Sequence, residues 1–238
     1  AKMLGCGVVM IVEGGIGNTI DRLHMSTALF REEKVPILGV IVNKVFEEKK
    51  DEIAYYLGKK LEQIDIPLLG VLPYDKSLSF PIMETVNQAV EGNVVLNEDQ
   101  LNNRVEDIIA GSLIDMEEFG SFKDVLLVVS YRRVDEAISK IEEISQIKQL
   151  EESPLSGVIV TGDSRHARWH ERLDLNKPYF IENKIPVITT TLDTYGSVVK
   201  VSRIEVKINT KTPWKIKRAV ELIKEHVDID RILEQLDI

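Results

Sequence analysis

The stretch Val8-Val9-Met10-Ile11-Val12-Glu13-Gly14-Gly15-Ile16-Gly17-Asn18 constrains this chain most: five consecutive apolar residues, one carboxylate, then a glycine-rich turn that opens a helix. An uninterrupted apolar run of that length reads as a parallel strand buried on both faces. In open α/β sheets, ligands gather at the C-terminal ends of such strands. Glycines after the strand leave backbone N–H groups to face an anion, and Glu13 can hold a cation beside it. The stretch is half of a candidate nucleotide site, and the other half must come from neighbouring strands.

The residues that follow supply those strands. Asn18 or Thr19 can cap a helix running to about Lys34, with Ile20, Leu23, Ala28 and Leu29 on its apolar side. Val35 to Val42 reads as a second buried strand closed by Asn43-Lys44. Glu47 to Ile64 reads as an amphipathic helix whose charged start, Glu47 to Glu52, is a solvated face, and Ile66 to Leu72 as a third strand ending at Pro73-Tyr74. Strand, helix, strand, helix, strand predicts a parallel sheet. Phe80-Pro81 starts a further helix to about Val90, since proline is tolerated in a first turn.

Glu91-Gly92-Asn93 ends that series, and Asn97 to Asn103 is polar and poor in large apolar residues, so the domain boundary is placed there and the first domain covers 1–95. A second series occupies 104–210. It has a short segment near Val105 to Ala110, strands at Val125–Val129, Gly157–Val160 and Pro186–Thr190, and helices at Val134–Leu150, Arg165–Leu173 and Lys177–Lys184. In the remaining 211–238, Thr212-Pro213 begins a helix to about Glu225, and Asp228 caps a last one to Leu236. The expected fold class is α/β: a partial doubly wound parallel sheet followed by a smaller α/β domain.

Composition narrows the function. With 44% hydrophobic and 29% charged residues the chain has an ordinary globular balance, and no apolar run approaches the roughly 20 residues that span a bilayer. A membrane role is not expected. A formal net charge of -9 argues against a general nucleic-acid binder, because phosphate affinity comes mostly from cationic neutralisation. A small molecule or a protein is the expected partner. Cys6 is the only cysteine, so an internal disulfide or a thiolate metal cluster is impossible, and the expected location is the reducing cytoplasm. Ala1 to Gly5 is too short and too weakly apolar for a signal sequence. A chain that begins with Ala and enters a core strand within a few residues is expected to be a fragment.

Three strand ends are expected at one sheet edge: Glu13-Gly14-Gly15, Asn43-Lys44 and Leu72-Pro73-Tyr74. An Asn side chain carries both donor and acceptor and can pair with a purine edge, and backbone groups beside Pro73 can complete that recognition. Taken singly the same residues also read as a strand end, a tight turn and a loop cap.

In these motifs the chain resembles the dethiobiotin synthetase-like P-loop NTPases, a group that includes cobyrinic acid a,c-diamide synthases and the N-terminal domain of long phosphotransacetylases. The resemblance covers roughly residues 8–90 and rests on VVMIVEGGIGNTID, ILGVIVNK and IPLLGVLPYD. It implies that Glu13 helps hold magnesium, that Gly14 and Gly15 line the phosphates, and that Asn43 contacts adenine, backed by Pro73. The implied cofactor is ATP or another adenine nucleotide with magnesium. The departure is as informative: the pattern G-x-x-x-x-G-K-[ST] occurs nowhere in the chain, and Gly58-Lys59-Lys60 does not satisfy it. Without that loop and its lysine, phosphoryl transfer is poorly supported. Either the loop lies upstream on a missing piece, or the scaffold has lost the chemistry.

Residues about 104–210 resemble the DRTGG domain, which follows a dethiobiotin synthetase-like domain in long phosphotransacetylases. VLLVVSYRRVDEAI, SGVIVTGD and IPVITTTLDTYGSV follow its order, but Ser130-Tyr131-Arg132 replaces Gly-Asp-Arg, and Gly162-Asp163 replaces paired glycines. The resemblance implies a regulatory ligand, an adenine nucleotide, held by Arg132, Thr161, Gly162, Asp193 and Thr194. Tyr131 and Asp163 bring side chains to places where glycine leaves room.

Other features read weakly. His166 and His170 at i, i+4 are placed as zinc could use, but belong more simply to a solvated helix. Arg165, Arg168, Trp169 and Arg172 form a basic-aromatic stretch that could contact a phosphate or an acidic partner, but reads first as a surface helix. No G-x-S-x-G nucleophile elbow is present.

The expected function is a catalytically incomplete nucleotide-sensing or regulatory module, forming a homo-oligomer and serving an acyltransferase. Two alternatives stand beside it. One is the C-terminal part of an ATP-dependent ligase of the dethiobiotin or cobyrinic acid type, and the other is a ligand-free oligomerisation scaffold.

Overall fold

The computed structural model describes residues 1–14, 17–111, 122–162, 174 and 177–235. In chain order the elements are β1 (Val8–Glu13), α1 (Gly17–Glu32), β2 (Ile37–Val45), α2 (Lys50–Glu62), β3 (Leu68–Pro73), α3 (Met83–Ala89), β4 (Asn93–Leu96), β5 (Asp107–Ala110), β6 (Val125–Ser130), α4 (Val134–Ile147), β7 (Leu155–Thr161), α5 (Pro178–Glu182), β8 (Val187–Thr190), α6 (Thr194–Ser202), α7 (Pro213–His226) and α8 (Ile229–Glu234). They form two compact units, Ala1–Leu78 with Pro213–Ile238, and Ser79–Thr212. None of the helices among the described residues is long and apolar enough to cross a membrane.

The first unit is a three-stranded parallel sheet in the order β1-β2-β3. Alternation along β2 divides its core: Val40 and Val42 pack with Leu23 of α1 and with Ile53, Leu57 and Leu61 of α2, whereas Ile41 faces the other way, with Leu69 and Val227. Ile53, Leu57 and Leu61 recur every fourth residue, which is why the charged helix α2 still buries one stripe.

The chain returns to this unit at its C-terminal end. Val227, in the corner between α7 and α8, bridges Gly70 of β3 in antiparallel sense, and the Asp228 N–H donates to Leu69 O at 2.7 Å. A Cβ at Gly70 would stand 2.3 Å from His226 O and 2.9 Å from Val227 Cα, so only glycine lets the corner approach β3. The Asp228 carboxylate then caps α8 by accepting from the Arg231 N–H at 3.0 Å.

The second unit has a five-stranded sheet in the order β4-β8-β7-β6-β5, parallel except for β4. Both faces are covered. Val125, Leu127 and Val129 of β6 pack with α4 and with Phe180 of α5, whereas Leu126 and Val128 pack with Met83 and Val86 of α3 and Val201 of α6. Both strand sets read as continuous apolar runs in the sequence because each lies between two layers.

The division of the chain differs from the expected 1–95, 104–210 and 211–238. The units part at Leu78/Ser79, and Asn97–Asn103 lies inside the second unit. That stretch is polar because its amides satisfy backbone carbonyls. Asn97 Nδ2 donates to Phe180 O and Ile185 O, and Asn103 Nδ2 donates to Ser156 O. For a related reason α3 begins at Met83 rather than at Phe80-Pro81. Pro81 O accepts from Val105 N, and the N–H groups of Met83 and Glu84 donate to Asn103 O and Leu101 O, so this segment is extended. Asn18 and Thr19 lie inside α1, which starts at Gly17, rather than capping it. The expected helix Arg165–Leu173 lies outside the described residues.

Candidate functional site

The three strand ends singled out in the sequence meet at the C-terminal edge of the first sheet. Glu13 pairs in register with Asn43, and Val45 with Pro73. Backbone bonds tie the exits together: Gly14 N–H donates to Asn43 O at 2.7 Å, and Tyr74 N–H donates to Val45 O at 2.7 Å. A Cβ on Gly14 would lie 2.8 Å from Val45 Cγ2, so the turn after β1 leaves no room for a side chain there. Gly15 lies outside the described residues.

Between Val42 and Val45 the β2–β3 register shifts, and Lys44 adopts φ 60°, in the left-handed region. Such a bulge re-aims side chains at a strand end. Here Lys44 Nζ donates to Glu13 Oε1 at 2.8 Å, and that pairing holds the Glu13 carboxyl below the usual glutamate range. The Lys44 amine is raised in turn, first by the hydrogen bond to Glu13. The half-exposed Asn43 accepts the Lys44 N–H on its own Oδ1 at 2.9 Å. Lys44 was named with Asn43 at this strand end but was given no role. A lysine directly after the strand-ending Asn was the available signal, but its backbone conformation was not.

The loop leaving β3 is fastened by α7. The Asp75 carboxylate accepts from Ser77 N–H at 2.9 Å, from the Ser77 hydroxyl at 2.6 Å and from Arg218 Nε at 2.6 Å. Burial pushes its pKa up, but the Ser77 and Arg218 hydrogen bonds outweigh that and hold it below the usual aspartate range. One turn earlier on α7, the fully buried Lys215 donates to Leu78 O at 2.9 Å, and burial pushes its amine down to about 8.

In the second unit the expected regulatory residues also sit at the C-terminal ends of parallel strands. Ser130, Thr161 and Thr190 are register partners on β6, β7 and β8. The Thr161 and Thr194 hydroxyls are hydrogen-bonded at 3.0 Å, and Gly162 N–H donates to Thr190 O at 3.3 Å. Arg132 follows β6, where its Nε donates to the Tyr131 hydroxyl at 3.0 Å. Asp193 is engaged locally, where its Oδ1 accepts from Gly196 N–H at 2.6 Å and caps α6. The structure therefore joins Thr161 to Thr194 directly, and gives Asp193 to helix capping. Asp163, His166, His170 and the basic-aromatic stretch Arg165–Arg172 lie outside the described residues.

Among the described residues no group of three or more His, Cys, Asp or Glu side chains could hold a metal ion. A cleft of about 520 Å³ lined by Arg31, Val35, Ile37 and Gln63 to Ile66 lies at the N-terminal ends of β2 and β3, the opposite edge from these residues.

With this geometry in place, comparison with known proteins adds a partial family match and several relatives. Residues 1–81 match the family model described as an AAA domain. Particular relatives extend further. The phosphate acetyltransferase of Synechocystis sp. is 21% identical over 243 residues, covering 99% of this chain and 33% of the relative. That of Nitratidesulfovibrio vulgaris is 23% identical over 250 residues, covering 99% of this chain and 34% of the relative. A cobyrinate a,c-diamide synthase of Limosilactobacillus reuteri is 31% identical over 81 residues, covering 34% of this chain and 17% of the relative. The chain spans about a third of the length of these phosphate acetyltransferases. Together the matches support a P-loop-like family for the N-terminal region. No solved structure matches the chain.

Proposed function

We propose that this chain is a nucleotide-responsive regulatory module resembling part of the phosphate acetyltransferases, in which the first unit binds an adenine nucleotide with magnesium. The observation that carries the reading is the in-register convergence of Glu13 with Asn43 and of Val45 with Pro73 at one sheet edge. The residues fit the ligand. Glu13 presents an exposed carboxylate for the cation, which when bound would neutralise phosphate charge; the turn at Gly14 presents backbone rather than a side chain to the phosphates; Asn43 and Pro73 stand at the same edge for the base. Lys44 stands beside Glu13 as a positive charge for the anion. Binding rather than phosphoryl transfer is proposed, since the 238 residues hold no G-x-x-x-x-G-K-[ST].

The second unit is read as a DRTGG-type domain that senses a ligand at Arg132, Thr161, Gly162, Asp193 and Thr194. The module is further proposed to form a homo-oligomer and to serve an acyltransferase. Alignment over 99% of the chain with phosphate acetyltransferases favours this reading. The 31% identity over 81 residues to a cobyrinate a,c-diamide synthase favours a second one, part of an ATP-dependent synthase. A G-x-x-x-x-G-K-[ST] motif in the reading frame upstream of Ala1 would select the second.

Calorimetric titration of the chain with ATP, ADP and AMP, with and without magnesium, tests the proposal. Magnesium-enhanced binding, with the enhancement removed by Glu13→Gln, is expected. Absence of binding to any of the three overturns it.

A further inference from the structure

We propose that Phe46 and Tyr74 form the platform on which the base of that nucleotide stacks, an inference that rests on the nucleotide reading of the first unit. Both rings follow strand ends of the candidate site, Phe46 directly after β2 and Tyr74 directly after β3. They are 57% and 43% exposed, so each keeps a large part of an aromatic surface in solvent. The Tyr74 N–H bond to Val45 O fixes the two exits side by side, and the ring centroids lie 5.7 Å apart at an interplanar angle of 56°.

That arrangement selects the ligand. A base held between two rings needs them parallel, and this tilt leaves no such slot. The rings touch each other at a tilt, and the exposed part of each remains for a ligand. A flat, π-rich group is the chemistry such a face takes, and base–aromatic stacking is indifferent to which base is present. The rest of the edge supplies what the other end of a nucleotide needs. Lys44 precedes Phe46 by two residues, pairs with Glu13, and lies within electrostatic reach of Tyr74. Charged and aromatic surfaces thus adjoin at one sheet edge, next to Asn43 and Pro73.

The test measures binding of magnesium-ATP and of magnesium with inorganic triphosphate, which has no base, to the wild-type chain and to Phe46→Ala, Tyr74→Ala, Tyr74→Leu and Tyr74→Phe. The platform predicts that both alanine variants and the leucine variant lose about 5- to 150-fold in ATP affinity, keep triphosphate affinity, and that Tyr74→Phe stays near wild type. Tyr74→Leu preserves apolar bulk without a flat face, so its loss would not come from unfolding. Wild-type binding of ATP with equal affinity in Phe46→Ala and Tyr74→Ala overturns the platform while leaving the nucleotide reading intact. Equal loss of ATP and triphosphate also overturns it, as does loss of self-association in light scattering with ATP affinity unchanged, which would assign the rings to a protein contact. A wild-type chain that binds no ATP overturns the nucleotide reading and this inference with it.

Discussion

Lys44 Nζ lies 2.8 Å from Glu13 Oε1, joining the exit of β1 to a bulge at the exit of β2. Both side chains are mostly exposed, so the pair adds little to stability and its effect falls on the site. Removing the ammonium by Lys44→Met is expected to raise the Glu13 carboxyl towards the ordinary glutamate range in an NMR titration. It is also expected to strengthen binding of magnesium alone, which otherwise competes with Lys44 for the carboxylate, and to weaken binding of ATP. Unchanged Glu13 titration would contradict the pairing.

Most strands of both units were legible because each buried run is mainly apolar and bounded by Pro, Gly or Asn, as in Val35 to Asn43 and Gly157 to Gly162. The convergence of Glu13, Asn43 and Pro73 followed from that pattern alone. What escaped was non-local. The α7–α8 corner reaches β3 through a backbone approach at Gly70, and nothing near Gly70 in the sequence names its partner 157 positions on, at Val227. β4 escaped because a short edge strand, Asn93–Leu96, pairs antiparallel on one side only. α6 escaped because Thr194-Tyr195-Gly196 reads as loop, although Asp193 three residues before Gly196 is an N-cap signal. The polarity of Asn97 to Asn103 was misleading in physical terms: amides bonded to buried carbonyls look in sequence like a solvated linker.

Asp75 anchors the loop after β3 with three hydrogen bonds. Asp75→Asn is expected to cost about 1–3 kcal/mol at neutral pH in urea denaturation. Because the folded carboxyl titrates below its unfolded value, its stabilisation is complete above the unfolded pKa and is lost as pH falls through the folded one. The wild type should therefore approach the variant's stability in acid, and a difference independent of pH would count against the anchor.

Lys215 makes the opposite contribution. Its amine is pushed down to about 8, below the ordinary 10.5, so between those values the unfolded chain binds more protons than the folded one. Stability of the wild type relative to Lys215→Met should rise with pH across that window, by up to about 1.4 kcal/mol per pH unit. Denaturation at about pH 7 and about pH 10 measures it, and a flat difference would place the amine in water.

Gly70→Ala puts a methyl group against His226 O and Val227. A loss of about 1–3 kcal/mol is expected from overpacking, together with faster hydrogen exchange at the Asp228 amide that bonds Leu69 O. Retained protection at Asp228 would contradict the close approach of the corner to β3.

Asp193→Ala is expected to cost about 1 kcal/mol through loss of the α6 cap, whereas Asp193→Asn keeps the cap and isolates any ligand role. Thermal unfolding of both variants checks this. Equal destabilisation by the two would contradict capping.

The central claim is that the C-terminal edge of β1, β2 and β3 is a nucleotide site. The most direct measurement is a backbone amide NMR titration of the chain with magnesium-ATP. Saturable shifts at Gly14, Lys44, Val45 and Tyr74, reduced by Glu13→Gln, are the expected result. Unmoved resonances at all four positions under saturating magnesium-ATP would contradict it.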